Sequence, residues 1–226
     1  MSGEDLGGDH ADWYWPAWAA RAELPVFAVL DTESSLGRYA PASKRVTVKD
    51  LVKFHGHPCD GLFRGAFAMR LALDALTPDG IADRTDLRVL SRNGPCLGDV
   101  AAYLTGGRVR FGTRDVRDEP GVWYLVQQIS TGRAVRVRER PGVYPPDLAE
   151  REARMMAEGR AEAAEIDAVR EAQARWLEDV LLARPPSALY AVEILAGDDW
   201  EAVPYAHVGR RTDVLFKNAP GPLPTT

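Results

Sequence analysis

One short segment of the sequence concentrates the side chains that could carry out chemistry. Three potential metal ligands, His55, His57 and Cys59, fall within five residues. Neutral imidazole and thiolate suit zinc or another borderline transition metal. Two histidines two residues apart cannot share one face of a regular helix, but they can converge from a turn, which Gly56 and Pro58 favour. The spacing therefore predicts a metal site at a turn.

The two cysteines of the chain, Cys59 and Cys96, each stand immediately before a predicted helix. Unpaired backbone N–H groups and the helix dipole at such a position favour the thiolate. Taken singly, either cysteine is more often a small buried hydrophobic side chain. Two cysteine-bearing helix starts can nevertheless meet at one site, so the expected metal ligands are His55, His57, Cys59 and Cys96.

Composition excludes several other classes of protein. With two cysteines in 226 residues, the chain cannot be a disulfide-dense secreted scaffold, a four-cysteine zinc ribbon or a cysteine-ligated iron–sulfur protein. The net charge of −5 argues against a generally basic nucleic-acid binder. No apolar run approaches the roughly 18 to 20 residues that cross a bilayer, and no signal peptide is recognisable. We therefore expect a soluble, cytoplasmic protein without nucleic-acid or membrane partners.

The elements that must position these ligands alternate between helices and strands. A capping-box pattern at Thr47 predicts the start of a helix, which ends where Gly56 and Pro58 break it. The pattern further predicts helices over 60–76 and 98–104 and strands over 87–90, 108–111, 122–129 and 133–138. The order of helix, strand, helix and then three strands is an α+β arrangement.

The C-terminal part of the sequence predicts a long helical segment over 147–182, rich in alanine, glutamate and arginine. Its one interior glycine, Gly159, could divide it into two helices. A continuous helix would be roughly 50 Å long, and its polar first half would bridge to a second subunit. We therefore expect a homodimer. Strands over 188–195 and 204–208 and a disordered tail from Pro220 follow.

Three regions are expected along the chain. Residues 1–44 form a partly disordered N-terminal extension, in which three tryptophans between positions 13 and 18 predict a segment that packs on the main domain or covers a pocket. Residues 45–200 form the main domain, which includes the long helical segment. Residues 201–226 form a C-terminal strand and the tail.

The two cysteine motifs resemble those of a known family, FmdE, named after a component of formylmethanofuran dehydrogenase and its operon in methanogens. The first family motif resembles His-Gly-His-x-Cys-Pro-Gly followed by a helix with an early glycine. Here it reads His55-Gly56-His57-Pro58-Cys59-Asp60-Gly61, with Gly65 in the matching place. The second resembles Cys-x-x-Asp-Ala, a short helix and Thr-Gly-Cys, and here it reads Cys96-Leu97-Gly98-Asp99-Val100 and then Thr105-Gly106-Gly107. The resemblance covers about residues 45–197.

The resemblance implies a core with the order α-β-α-β-β-β and a mixed sheet, and a metal-binding protein that commonly holds zinc. The sequence departs from the family pattern at three points. Asp60 replaces the usual proline, and it could cap the following helix or accept a hydrogen bond from a ligating histidine. Gly107 replaces a third cysteine, and the C-terminal Cys-x-x-Cys ribbon of many relatives has no counterpart here. A dithiol mechanism through the third cysteine and any role of the ribbon are therefore not carried over.

Three functions remain open at the level of sequence. In a metal enzyme acting on a small molecule, water, substrate or Cys96 would take the fourth metal position, and Asp99 or Asp60 would be the general base. Alternatively, the chain is a non-catalytic metal- or haem-binding accessory module for a redox enzyme, with any haem bound non-covalently. In a metal-free thiol enzyme, Cys59 would be the nucleophile and a nearby histidine its base. The candidate catalytic residues are accordingly Cys59, Cys96 and Asp99.

Overall fold

The computed structural model describes residues 12–34, 36, 42–108, 112–117, 123–195 and 217 of the chain. These residues form helices and two separate sheets, so the predicted α+β class is confirmed. No helix within these ranges combines the length and the apolar character that crossing a membrane requires.

The first part of the chain forms a small sheet and the helix that leads into the site. Helix α1 spans Ala17–Arg21, strand β1 spans Val26–Leu30, strand β2 spans Lys44–Thr47 and helix α2 spans Val48–His55. The backbone N–H and the hydroxyl of Thr47 both donate to the Asp50 carboxylate at 2.7 Å, so the predicted capping box begins α2. Gly56 ends the helix at φ 105°, a left-handed conformation that glycine adopts without strain.

The small sheet has the strand order β2-β1-β3, and the sequence pattern did not predict it. Helix α3 spans Asp60–Leu76 and is followed by strand β3, Ile81–Asp83. Strand β1 pairs antiparallel with β2 and parallel with β3. Strand β3 has only three residues, which is too short for an alternation of apolar and polar side chains to be recognised.

The main sheet lies under α3 and carries the larger part of the core. The remaining strands are β4 Leu87–Arg92, β5 Arg114–Arg117, β6 Tyr124–Gln128, β7 Ala134–Glu139 and β8 Tyr190–Leu195, and helix α4 spans Pro95–Thr105. The strand order is β5-β4-β6-β7-β8, with β4 and β5 parallel and the other neighbours antiparallel. The mixed sheet is therefore confirmed. Val126, Val135 and Val137 share one buried core with Leu62 and Phe63 of α3.

One predicted strand lies largely outside the described residues. The pattern placed a strand over residues 108–111, but Arg108 is outside any strand, and residues 109–111 lie outside the described part of the chain. The strand that joins the sheet here is β5, Arg114–Arg117, which pairs in parallel with β4. Three of the four residues of β5 are charged, so the strand lacks a clear alternation of apolar and polar side chains. Its position in the sheet depends instead on its pairing with β4.

The long C-terminal segment is a helical hairpin, not one continuous rod. Helix α5, Pro146–Glu158, ends at Gly159, which takes the left-handed conformation at φ 62°. Helix α6, Ala163–Trp176, returns alongside α5, since Arg154 pairs with Glu165 and Gln173 donates to Glu152 at 3.0 Å. A π-helical segment, Leu177–Leu181, and a short helix α7, Pro186–Leu189, then lead into β8.

The tryptophan-rich segment contacts the main domain through α3. Trp18 lies 4.9 Å from Phe63 between ring centroids, and Trp15 lies 6.1 Å from the same ring. Trp13 is exposed. The predicted strand over 204–208 and the predicted tail from Pro220 lie outside the described residues.

Candidate metal centre

The turn between α2 and α3 carries the first motif. His55 is the last residue of α2, His57 lies in the turn, and Cys59 is the N-cap residue of α3. Gly56 reverses the chain between the two histidines, so their rings lie with centroids 4.5 Å apart at an interplanar angle of 42°. The potential ligand atoms of His55, His57 and Cys59 all lie within 4.8 Å of one another. The two histidines thus converge from a turn, as their spacing required.

Helix α4 brings the second motif to the same place. The sulfur atoms of Cys59 and Cys96 lie 3.3 Å apart. Asp99, one turn further along α4, accepts a hydrogen bond from Nδ1 of His55 at 2.9 Å. Gly61 allows the close approach of α4 to α3, because a Cβ atom at that position would lie 2.9 Å from the Cys96 sulfur. All five residues named as site candidates from the sequence therefore line one cleft.

The two nitrogens of His55 face different partners. Its Nδ1 faces Asp99 at 2.9 Å, and its Nε2 faces the sulfur of Cys59 at 3.5 Å. With a proton on Nδ1 donated to the carboxylate, Nε2 is left with a lone pair directed toward the sulfur of Cys59. The His55 side chain is only 3% exposed, so this tautomer is set by the protein and not by water.

The two thiols share protons unequally. The hydrogen bond from Cys59 lowers the pKa of Cys96 to about 7. The same hydrogen bond and burial raise the pKa of Cys59 well above its usual range. The pair therefore loses its first proton near neutral pH, and the remaining proton bridges the two sulfurs. Partial desolvation and the neighbouring His55 ring lower the pKa of His57, which favours the neutral imidazole.

The spacing of these atoms is close to that in the coordination shell of one ion. Nitrogen and sulfur ligands at 2.0 to 2.3 Å from a tetrahedral zinc ion are separated by about 3.4 to 3.8 Å, the upper value applying to two sulfurs. The distance from His55 to Cys59, 3.5 Å, lies in this range, whereas the two sulfurs are 3.3 Å apart and would separate by about 0.5 Å to bind one ion. Two sulfurs and a directed imidazole nitrogen are also the donor set that zinc prefers.

Asp60 neither caps α3 nor accepts a hydrogen bond from a ligating histidine. Cys59 is the N-cap of α3, and Asp60 is its first helical residue. Its carboxylate accepts a hydrogen bond from Arg64 at 3.1 Å, and Arg64 also donates to both oxygens of Glu139, at 3.0 and 2.6 Å. The guanidinium lies 4.0 Å from the ring centroid of Tyr144. The spacing of four residues on a helix could have indicated the Asp60–Arg64 ion pair. The contact of Arg64 with Glu139, 75 residues away, could not be predicted from the sequence.

The position of the family's third cysteine is tightly enclosed. A Cβ atom on Gly107 would lie 2.9 Å from the backbone oxygen of Thr113. A side chain there would therefore need the backbone to move. Gly107 does not line the cleft that holds the other motif residues.

The cleft above the site has a volume of about 1060 Å³, which is large enough for a small molecule of cofactor size. Its floor is the His/Cys cluster. Its walls are built from the N-terminal segment and from the helical hairpin. A cover over a pocket was one of the two roles expected for the N-terminal segment. The position of the hairpin at the site was not predicted from the sequence. The wall residues are Tyr14, Pro16, Trp18, Glu152, Met156, Asp167, Arg170, Glu171, Gln173, Ala174 and Leu177.

Comparison with known proteins identifies a family whose match includes both cysteine motifs. A family described as FmdE, Molybdenum formylmethanofuran dehydrogenase operon, matches residues 54–190. A crystal structure of a tungsten formylmethanofuran dehydrogenase FmdE-like protein from Syntrophus aciditrophicus is similar over 69% of this chain and 78% of its own. The sequence identity is 19% and the TM-score is 0.40. Among curated proteins, none matches this chain.

Proposed function

The chain belongs to the FmdE family, and from this premise we propose that its His/Cys cluster holds one zinc-type ion at the floor of a cleft that receives a small molecule. The ligands are Nε2 of His55, the sulfurs of Cys59 and Cys96, and the imidazole of His57. We place the protein in the cytoplasm, where free thiols such as these persist.

The observation that carries the proposal is the orientation of His55. A metal-ligating histidine almost always donates its other ring N–H to a carboxylate or carbonyl, which fixes the tautomer and the ring. His55 has this arrangement, with Nδ1 on Asp99 at 2.9 Å and Nε2 3.5 Å from the Cys59 sulfur. A histidine serving only as a structural hydrogen-bond donor would not need a thiol at its second nitrogen and another thiol 3.3 Å beyond the first.

The four ligands differ in how firmly the protein holds them. Cys59 contacts both His55 and Cys96, and these three residues are buried or half-buried, whereas His57 is exposed at the cleft. His57 is therefore the ligand that a bound molecule could displace. The ion would supply Lewis-acid chemistry to a molecule bound in the cleft. The chain supplies the rest: Asp99 orients His55, and the cleft walls exclude bulk water.

Without metal, the same pair of thiols favours a second function, that of a thiol enzyme. The observation behind it is the Cys96 thiolate, whose pKa of about 7 makes it a nucleophile near neutral pH. Its hydrogen-bonded neighbour, Cys59, would then donate a proton. No contact of the described residues favours a haem module.

Metal analysis of the purified protein tests the proposal. Wild-type protein should contain about one equivalent of zinc or another transition metal per chain, and Cys59→Ser and Cys96→Ser should each lose most of it. Asp167→Asn, which changes an exposed carboxylate of the same cleft, is the matched control and should keep its metal. His57→Ala should retain the ion with lower affinity. Equal metal content in the wild type and both cysteine variants would refute the site.

We further propose that the protein is a homodimer assembled through the hairpin. Met156 of α5 is 78% exposed and Ile166 of α6 is 42% exposed, which leaves apolar surface on a pair of helices that is otherwise polar. Light scattering should give the mass of two chains, and Met156→Glu combined with Ile166→Glu should reduce it to one. A wild-type mass of one chain would contradict the dimer.

A further inference from the structure

The wall of the cleft opposite the His/Cys cluster carries one carboxylate with an unusual setting. Glu152 lies on α5, is half-buried, and lines the same cleft as the cluster. The hydroxyl of Tyr144 and the side-chain amide of Gln173 both donate to its Oε1 atom, the latter at 3.0 Å. Burial raises the pKa of Tyr144, so its hydroxyl remains a donor. Two neutral donors thus hold the carboxylate in one orientation.

The second oxygen of Glu152 has no such partner. Within the described ranges of the chain, no donor contacts Oε2 and no lysine, arginine or histidine pairs with this carboxylate. Three of the other four carboxylates of the cleft are each paired with an arginine: Asp60 with Arg64, Asp167 with Arg170 and Glu171 with Arg175. The fourth, Asp99, accepts its hydrogen bond from the neutral imidazole of His55 in the proposed metal site. On the hairpin wall, Glu152 therefore differs from Asp167 and Glu171.

This difference indicates what the wall accepts. A half-buried carboxylate without a cation has lost part of its hydration, and a ligand that brings both a positive charge and an N–H donor restores it. Two neutral donors fix the carboxylate geometrically but do not neutralise it. Trp18 and Leu177 line the same cleft and offer apolar contact to the body of such a ligand.

We propose that Glu152 is the specificity residue of the cleft and that it recognises an ammonium or amidinium group on an apolar small molecule. The inference rests on the proposed function in that the same cleft receives the ligand. Glu152 binds and orients the cationic end of the ligand. The opposite end is directed toward the His/Cys cluster.

Calorimetric titration with benzamidinium and its neutral analogue benzamide tests the assignment. The wild type should bind benzamidinium about tenfold more tightly than benzamide. Glu152→Gln keeps the shape of the side chain and an oxygen for Tyr144 and Gln173, and it should abolish that preference. Asp167→Asn removes a neighbouring carboxylate that is already paired, and it should change the preference less than twofold.

The outcomes separate this inference from the proposed metal site. Metal content is measured on every sample, so a wild type with metal but no preference for benzamidinium overturns the inference alone. A preference that persists in Glu152→Gln overturns it as well. If the wild type lacks metal but prefers benzamidinium, the recognition stands and the metal site fails. If Glu152→Gln does not fold, Glu152→Asp replaces it in the test. Its side chain is one methylene shorter and holds the carboxylate further from the ligand, so the preference for benzamidinium over benzamide should fall more than threefold.

Discussion

Asp99 offers the sharpest test of how the site is built, because it contacts His55 and is not itself among the proposed ligands. Asp99→Asn keeps the size of the side chain and removes its charge. The hydrogen bond from Nδ1 of His55 then becomes neutral, and Nδ1 no longer requires the proton. His55 is free to take the other tautomer, which blocks Nε2 as a ligand.

The size of the effect follows from the geometry. A charge-assisted hydrogen bond contributes about 1.5 to 3 kcal/mol and a neutral one about 0.5 to 1.5 kcal/mol. The contact is 2.9 Å, and His55 is only 3% exposed, but Asp99 is 33% exposed and partly screened by water. The midpoints of the two ranges differ by about 1.25 kcal/mol, and we take a slightly lower value, about 1 kcal/mol, which corresponds to about a fivefold loss of metal affinity. Asp99→Ala, which removes the acceptor, should cost up to about a hundredfold.

Competition with a chromophoric zinc chelator measures these affinities, with Asp167→Asn as the control. Nitrogen NMR of the metal-free protein should show His55 protonated at Nδ1 in the wild type and a mixture of tautomers in Asp99→Asn. An affinity within twofold of wild type would refute the orienting role. Complete loss of metal in Asp99→Asn would also refute the orienting role, because it would indicate that Asp99 binds the metal directly.

Three further predictions concern stability and thiol reactivity. Arg64→Met should lower the free energy of unfolding in urea by about 3 to 5 kcal/mol, since it strands the buried Glu139 carboxylate; a loss below about 1 kcal/mol would contradict this. Gly65→Ala should cost about 1 to 3 kcal/mol, since its Cβ would lie 2.7 Å from the buried Tyr124 hydroxyl; an unchanged melting temperature would contradict the packing. In metal-free protein, alkylation of Cys96 by iodoacetamide should accelerate as pH rises through about 7, because the thiolate is the reactive form and its fraction increases. Mass spectrometry follows this reaction, and a midpoint near that of an ordinary thiol would show that the hydrogen bond from Cys59 is absent.

The sequence was most informative where structure is local. The capping box at Thr47 and the helix break at Gly56 depend on neighbouring residues, and both are present. Gly159 divides the C-terminal segment for the same reason, since a left-handed C-cap is a property of one residue. Strand β5 was not predicted, because its pairing with β4 depends on a partner more than twenty residues away.

The sequence by itself determined the chemistry of the site: the residue types, their spacing on a turn, and two helix starts that each carry a cysteine. Only the tertiary structure decided their partners. His55 meets Asp99 across 44 residues and Cys59 meets Cys96 across 37, because α4 packs against α2 and α3 over a core to which the whole domain contributes. The hairpin wall with Glu152 is likewise a result of packing. Local patterns encode backbone conformation, whereas contacts between distant segments depend on how entire apolar faces are buried together.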